Sequence, residues 1–596
     1  NDFYAISLII FSISQTSSCP IEKGVIYTKW GTVSPGIIIA GVAAALETSN
    51  LPFQQIMSTM QIHQNKTESE IDYSSTVLSR NISNIWTSTV AGDLGEVVIL
   101  QAVNPPIIGT PGTWNNTMLP RIFYLDDINY DFTRSELLGG IDGLILASKV
   151  ASWTSILSRT RLSQILDMYY SPRGVSYNVS YKACKRRGLA KEQFDDSNFL
   201  KGQVSAIAKL LQEIGLSNQL LFENTIDNFT SVVVDTFLNN YEKAFEGYDK
   251  CDTERQLWSS LDVITIFDET WSEYELLKII GLLVQELDVS YYGTHLGVIY
   301  GQSGTWMANV SESVLELFSQ LNNFALTRSS SLSLHRSFES VVEYFQNRNY
   351  SDCNNNTGRK PRGFVIVVFA KSSLLTDEDL RWSQLSLNTI KASHPEVKLV
   401  YVTSDHNSAS FETLANSYSG DIVLKTTVND IESVVTEVSK KLANVPGHII
   451  DIYCSKWHIA MEDYITPYKN TVYEISHEFI KRANFFVKFK GHNYGDFTVC
   501  AQDSNNGDKT CKRVVDNNVV NFTANDYCHS YNCNVQFSIS EIQTRVKCTE
   551  LDCRYPDQIR INIFTYWTSS SGSLTGSVTP FYCISFLLAA KCFFYC

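Results

Sequence analysis

Between Leu261 and Leu442 short apolar runs alternate with amphipathic stretches, and this alternation limits the fold more than any other feature of the chain. The apolar runs are Val263–Phe267, Leu296–Tyr300, Phe364–Phe369, Leu399–Thr403 and Ile422–Leu424. They are rich in Val, Ile, Phe and Tyr and too short for buried helices. The stretches Tyr274–Leu287, Ser313–Leu321, Leu332–Phe345, Asp379–Ile390 and Ile431–Leu442 repeat apolar residues every three or four positions, which is the helical period. A strand that is apolar on both faces must be covered on both faces. Strands separated by helices therefore predict a doubly wound, mostly parallel α/β sheet, placed at residues 256–446.

The flanking segments read differently, so the chain is multidomain. Residues 19–255 read as a mainly helical (α) domain. Val33–Glu47, containing GIIIAGVAAALE, is entered at Pro35-Gly36 and left at Asn50-Leu51-Pro52. Ser79–Val103 is a second helical run, and Ser135–Tyr170 reads as two helices broken near Gly139-Gly140 and ended by Pro172. Asn198–Ile214 and Thr230–Phe245 add two amphipathic helices. Residues 447–567 carry the short strand-like segments Ala483–Phe489, Asp496–Ala501, Asn534–Ser538 and Ile559–Tyr566, separated by Gly, Asn and Asp. They predict an all-β, sandwich-like, disulfide-rich unit. Cys500 and Cys511 flank Asn505-Asn506-Gly507-Asp508 nearly symmetrically, so a hairpin there brings the two thiols together.

Composition bounds the function. With 44% hydrophobic and 18% charged residues the chain is not disordered, and a net charge of −14 disfavours nucleic acid. The basic run Lys182–Lys191 is too short to make a binding face. No internal apolar run is long enough to span a membrane. Of fourteen cysteines, Cys454, Cys500, Cys511, Cys528, Cys533, Cys548 and Cys553 crowd the β region. That density reads as a disulfide framework. Zinc is the weaker reading, because the close pairs have four intervening residues and His529 is the only nearby histidine. Residues 1–18 read as the remnant of a signal peptide cut near Cys19. Nine Asn-x-Ser/Thr sequons permit glycosylation without proving export. In the 568–596 tail, Ser569–Ser573 precedes the mostly apolar Phe581–Cys596. This reads either as a C-terminal lipid-anchor signal or as translated non-coding sequence. Without the three tail cysteines eleven remain, an odd number that leaves a thiol for a disulfide-linked oligomer.

Ligands of an open parallel sheet bind at the carboxyl ends of its strands. There, directly after Val263–Phe267, stands Asp268-Glu269-Thr270-Trp271-Ser272. Alternate side chains of a tight loop turn the same way, so Asp268, Thr270 and Ser272 can converge as hard oxygen ligands for Mg²⁺ or Ca²⁺. With this loop, a short extra strand near Thr305–Ala308 and its strand–helix order, residues 261–442 resemble a von Willebrand factor A (vWA) domain. The resemblance implies a metal-ion-dependent adhesion site beginning at Asp268. It also implies a threonine before the third helix, for which Thr327–Ser331 offers hydroxyls, and an aspartate after the fourth strand. The last position appears as Lys371 in VIVVFAKSS, with Asp377 and Asp379 a few residues on. An ammonium in place of a carboxylate opposes a divalent cation. The expectation is a degenerate site in which Lys371 takes the cation's electrostatic role and pairs with Asp268; a retained Mg²⁺ or Ca²⁺ site is the alternative. Some relatives tie the ends of this fold with a disulfide, which implies Cys251–Cys454, with Cys353 as a competing partner.

No His-Glu-x-x-His, phosphate-binding loop or nucleophile elbow occurs. The expected function is therefore non-enzymatic. It is a secreted or cell-surface adhesion and recognition protein that binds another extracellular protein through Asp268, Thr270, Trp271, Ser272, Trp306 and Lys371. The alternative is a structural matrix component or an auxiliary extracellular subunit of a membrane channel or receptor.

Overall fold

A computed structural model describes residues 25–569 except 65–72, 104–133, 157–159, 176–179, 216–219, 252–256, 269, 325–331, 355–358, 372–374, 405–407, 419, 426–429, 451–457, 468, 493–494, 505–508, 529–532 and 545–546. The signal-peptide reading, the Thr327–Ser331 loop, the Asn505–Asp508 turn, Cys19, Cys454 and nearly all of the tail lie outside the described residues, as does the Cys353 side chain.

The first region is helical with two small antiparallel pairs, the hairpin β1 (Ile26–Thr28) with β2 (Gly31–Val33) and the sequence-distant strands β3 (Asn50–Pro52) and β4 (Asn81–Ser83). Its helices are α1 (Pro35–Leu46), α2 (Phe53–Gln64), α3 (Ser75–Leu78), α4 (Asn84–Thr87), α5 (Val90–Val103), α6 (Arg134–Ile156), α7 (Leu162–Tyr169), α8 (Arg186–Gln193), α9 (Ser197–Glu213) and α10 (Glu223–Asn240). The break expected at Gly139-Gly140 does not occur: α6 runs straight through it. Gly139 instead lets the entry of α1 approach, while Gly140 faces Val90 of α5 at ordinary contact distance. A Cβ on Gly139 would lie 2.6 Å from the Ser34 carbonyl oxygen, and one on Gly41 would lie 3.0 Å from that of Gly143. Close backbone approach, not a turn, requires glycine here.

The central region has β5 (Ser260–Phe267), α11 (Glu273–Glu286), β6 (His295–Tyr300), β7 (Trp306–Ser311), α12 (Val314–Asn322), α13 (Leu334–Asn354), β8 (Arg362–Ala370), α14 (Asp377–Ser393), β9 (Lys398–Thr403), α15 (Ser408–Ala415), β10 (Ile422–Lys425) and α16 (Ile431–Leu442). The strands run β7-β6-β5-β8-β9-β10, all parallel except β7. Side chains on the two faces of these strands feed two separate cores. Val263, Phe267 and Val367 face α11, α12 and α16, whereas Ile264, Ile266 and Val368 face α13, α14 and α15. This is the doubly wound arrangement expected, including the short extra strand.

The last region has β11 (Gly447–His448), β12 (His458–Ile465), β13 (Thr471–Ile475), α17 (His477–Ile480), β14 (Ala483–Lys490), β15 (Gly495–Asp503), β16 (Thr510–Val515), β17 (Val519–Thr523), β18 (Val535–Thr544) and β19 (Ile559–Ser569). The layer β13-β18-β15-β16 and the sheet β12-β19-β14-β17 share one core, with Tyr473, Phe489, Phe497, Phe537 and Ile561 buried between them. Cys500 and Cys511 are directly opposed on β15 and β16 and bonded, as expected. Cys528–Cys533 and Cys548–Cys553 are also disulfides. Cys251, in contrast, pairs with Cys184 rather than Cys454, stapling the helical region to itself.

The two-residue β11 joins the sheets, pairing with β8 on one side and β13 on the other, so one eleven-stranded sheet runs through both regions. His448 of β11 is buried, stacked on Phe364 at 6.3 Å, and its Nε2 has no hydrogen-bond partner among the described residues. Burial holds its pKa below the ordinary 6.5, aided by Lys398 and His394 and opposed by Glu396 and Glu474. Between the two values the unfolded chain binds the proton and the folded one does not, so stability is complete above 6.5 and falls as the pH drops below it. Glu396 titrates in a different window. Burial is the largest influence and raises its carboxyl, but the His394 hydrogen bond together with the positive charges of His394 and His448 outweighs it and keeps the group below 4.5. The urea midpoint should therefore fall between about pH 7.5 and 5.5, and His448→Phe should flatten that slope. Equal slopes in the two proteins would refute the assignment.

Candidate functional site

The loop after β5 is pinned from both sides. The Asp268 N–H donates to the Phe369 carbonyl at 3.1 Å, and the Gly301 N–H donates to that of Phe267 at 2.8 Å. Asp268 is buried, and its Oδ1 accepts from the Thr270 hydroxyl at 2.7 Å and the Thr270 N–H at 3.3 Å. Ser272 starts α11 as its N-cap. Its Oγ accepts from the Glu275 N–H at 3.3 Å and donates to Glu275 Oε2 at 2.8 Å, and its N–H donates to the same oxygen at 3.0 Å. This reciprocal capping box satisfies two backbone donors that the first helical turn would leave open.

Lys371 follows β8, but its ammonium reaches Glu275 Oε1 at 2.6 Å rather than forming the expected pair with Asp268. The physical reason is the cap: Ser272 holds the Glu275 carboxylate over the loop, where it meets the lysine, while Asp268 is already turned onto Thr270. Burial pushes the Glu275 carboxyl up, but hydrogen bonds from Lys371 and Ser272 outweigh it and hold the group below its usual range. Sequence reasoning missed Glu275, although Ser-x-x-Glu at 272–275 is the spacing of a capping box.

Trp271, expected on the binding surface, is buried. Its indole N–H donates to the Phe369 carbonyl at 3.0 Å, its ring packs edge-on against Phe267 and Phe369, and the Lys371 ammonium lies 5.1 Å from its centroid. Alternation in the loop sends Asp268, Thr270 and Ser272 one way, and Trp271 goes the other way into the core. The exposed aromatic beside it is Tyr274 on the first turn of α11. Trp306 opens β7, half-buried, with its ring tilted against Tyr344 at 5.8 Å. Asp379 does not join Asp268 either. It accepts from the Leu334 N–H and bonds His335 Nδ1 at 2.6 Å, tying α14 to α13, while Asp377 is exposed.

The donors do not fit a Mg²⁺ or Ca²⁺ ion as arranged. One carboxylate oxygen faces a threonine of its own loop, the serine hydroxyl faces Glu275, and an ammonium stands in the same set, whereas these cations need six or more converging oxygens. Among the described residues no three His, Cys, Asp or Glu side chains group as metal ligands, and no helix is long and apolar enough to cross a membrane.

No family model matches the chain, and no curated protein matches it. Among solved structures, that of the SpRpn10 VWA domain aligns with 30% of this chain and 95% of its own, at 9% identity and a TM-score of 0.23. The TFIIH p34 N-terminal domain aligns with 32% of this chain and 99% of its own, at 10% identity and 0.24. CapF with the inhibitor 3-isopropenyl-tropolone aligns with 51% and 96%, at 8% identity and 0.15. Scores this low carry no argument. The vWA-like character of the central region rests on its strand order.

Proposed function

We propose that this protein is a non-enzymatic recognition protein of the cell surface or the secreted space, and that its central region binds another extracellular protein without a metal ion. The observation that supports this reading is the Ser272–Glu275–Lys371 linkage at the carboxyl ends of β5 and β8. It sets a fixed cation–carboxylate pair where the resemblance implies a divalent ion. Thr270, Ser272 and Lys371 form the rim over the buried Asp268, which the sequence placed on the binding surface, with Tyr274 as the exposed aromatic anchor. Four disulfides among the described residues suit an oxidising compartment.

Calorimetry of the full chain with Mg²⁺ and Mn²⁺ tests the metal-free rim. The expected result is no saturable heat in either the wild type or Asp268→Ala. Tight binding that disappears in Asp268→Ala would refute the proposal.

A second reading, an auxiliary subunit or matrix spacer, is favoured by one observation. The segment 551–557 fastens all three regions together. Arg161 and Gln164 donate to the Cys553 carbonyl, and Arg173 pairs with Asp557 at 2.5 Å. On the central region Tyr291 bonds Asp552 at 2.6 Å, and Arg554 pairs with Asp288. A rigid three-part body suits a spacer. Tyr274→Ala and Lys371→Ala that leave every partner interaction unchanged would decide for it.

A further inference from the structure

Two sequons fall on the outermost strands of the two large sheets. Among the described strands β7 ends the eleven-stranded sheet and β17 ends the four-stranded one. An end strand presents unpaired backbone N–H and C=O groups that a second chain can extend. Asn309, of Asn309-Val310-Ser311, stands on β7, and Asn521, of Asn521-Phe522-Thr523, stands on β17; both are exposed.

The two edges are not equally protected. β7 changes register twice against β6, and Gln320 Oε1 of α12 already accepts the Asn309 N–H at 2.8 Å. Such irregularity discourages edge-to-edge pairing. β17 pairs with β14 without a shift over all five of its residues, VVNFT, and holds neither a charge nor a proline. The Lys512 ammonium donates to the Asn521 carbonyl at 2.5 Å, and Lys488 and Lys490 of β14 stand opposite Asn521 and Val519, so the edge strand itself is uncharged but its inner neighbour is not. Side chains alternate along a strand, so Asn521 shares its outward face with Val519, which is 47% exposed. On the adjoining β14, outward-facing Phe486 is 38% exposed. A short, uncharged, β-branched and aromatic edge is the composition that seeds chain-to-chain pairing.

We infer that Asn309 and Asn521 carry N-linked glycans, and that the glycan on Asn521 covers the uncharged β17 edge, with its exposed Val519, against a second copy of this chain. This rests on the extracellular half of the proposed function, because the sugar donor belongs to the secretory route. There a lipid-diphosphate-linked oligosaccharide gives up its anomeric C–O bond. The asparagine Nδ2 forms the new C–N bond and loses one proton, and the lipid diphosphate leaves. The transfer precedes folding, so the later burial of Ser311 does not hinder it. What the fold must supply is room for the sugar, and the exposed faces of both strands supply it.

The test expresses the full chain through the secretory route of a eukaryotic cell and maps the sites with a glycan-releasing amidase in ¹⁸O water, which hydrolyses the Cγ–Nδ2 amide, releases the glycosylamine and leaves a labelled aspartate at each occupied asparagine. The expected result is label at 309 and 521, and loss of one glycan each in Asn309→Gln and Asn521→Gln. Trimming the folded wild type, which leaves the sequence untouched, should raise its rate of self-association several-fold, and Asn521→Gln should do the same. Vacant 309 or 521 beside other occupied sequons overturns this inference and leaves the compartment standing. A chain held in the cytosol with no glycan at all overturns the reading beneath it. Occupied sites in a protein that stays equally soluble after trimming overturn the role given to the Asn521 glycan.

Discussion

Asp142→Ala is expected to destabilise the helical region by about 3–5 kcal/mol, a large fraction of the roughly 5–15 kcal/mol that an ordinary domain possesses. Asp142 is fully buried in α6 and accepts four hydrogen bonds, each 2.6 Å long, from Arg186 Nε and Nη2 and from the hydroxyls of Tyr169 and Tyr170. The remaining arm of Arg186 donates to the Trp30 carbonyl at 3.0 Å, so the network is closed. Burial alone opposes the charge on Arg186, but the Asp142 carboxylate more than compensates and the guanidinium holds its proton more firmly than usual. Removing the carboxylate strands that cation and two phenols in an apolar core. The loss comes from the uncompensated cation, not from the pair's intrinsic value, because two ions taken out of water gain little net stability. The double change Asp142→Leu with Arg186→Met should therefore recover most of it. Urea unfolding monitored in the helical region reads both. A single variant within about 1 kcal/mol of wild type would refute the account.

The parts of the fold that were legible in the sequence follow from period. β5, β8 and β9 are apolar on both faces because two separate cores take their alternate side chains, and such runs cannot be mistaken for half-exposed strands. The pairs β1–β2 and β3–β4 have three residues per strand, too few to show any period. Gly139 and Gly140 carried a true signal with two meanings, a break or a close contact, and only Ser34 at the entry of α1, facing Gly139, decides between them. At the rim the loop and its position were readable, since Asp268, Thr270 and Ser272 stand together at the end of β5. What was not readable is which acid meets Lys371, because that depends on how a helix cap steers Glu275 across the loop. Trp271 was misassigned for a related reason: composition marks an aromatic as valuable, but only the loop's alternation tells whether it faces solvent or core.

The second large effect concerns Cys184–Cys251. It closes a loop of sequence separation 67, holding α8, α9 and α10 in one ring. The chain-entropy account gives about 4 kcal/mol for a ring of that length, against about 2 kcal/mol for the five-residue separation of Cys548–Cys553. Its position magnifies the consequence. Cys184 stands two residues before Arg186, and Cys251 follows Lys250, whose carbonyl accepts the Trp30 indole N–H at 3.3 Å. Trp30 is the same residue whose carbonyl receives Arg186. The disulfide and the buried ion pair thus hold one junction from two sides, and their removals should not add. The paired change Cys184→Ser with Cys251→Ser is expected to lower stability by about 4 kcal/mol on its own, and by clearly less in an Asp142→Ala background where the junction is already open. With unfolding read in the helical region, a dithiol reductant should reproduce the first loss in the wild type and do almost nothing further there to the Cys184→Ser, Cys251→Ser variant, whose other disulfides lie in the β region. That comparison also bears on where the protein works: a fold this dependent on an oxidised staple cannot persist in a reducing cytosol. If reduction left the unfolding midpoint of the helical region unmoved, both the energetic role of Cys184–Cys251 and the compartment inferred from it would fall together.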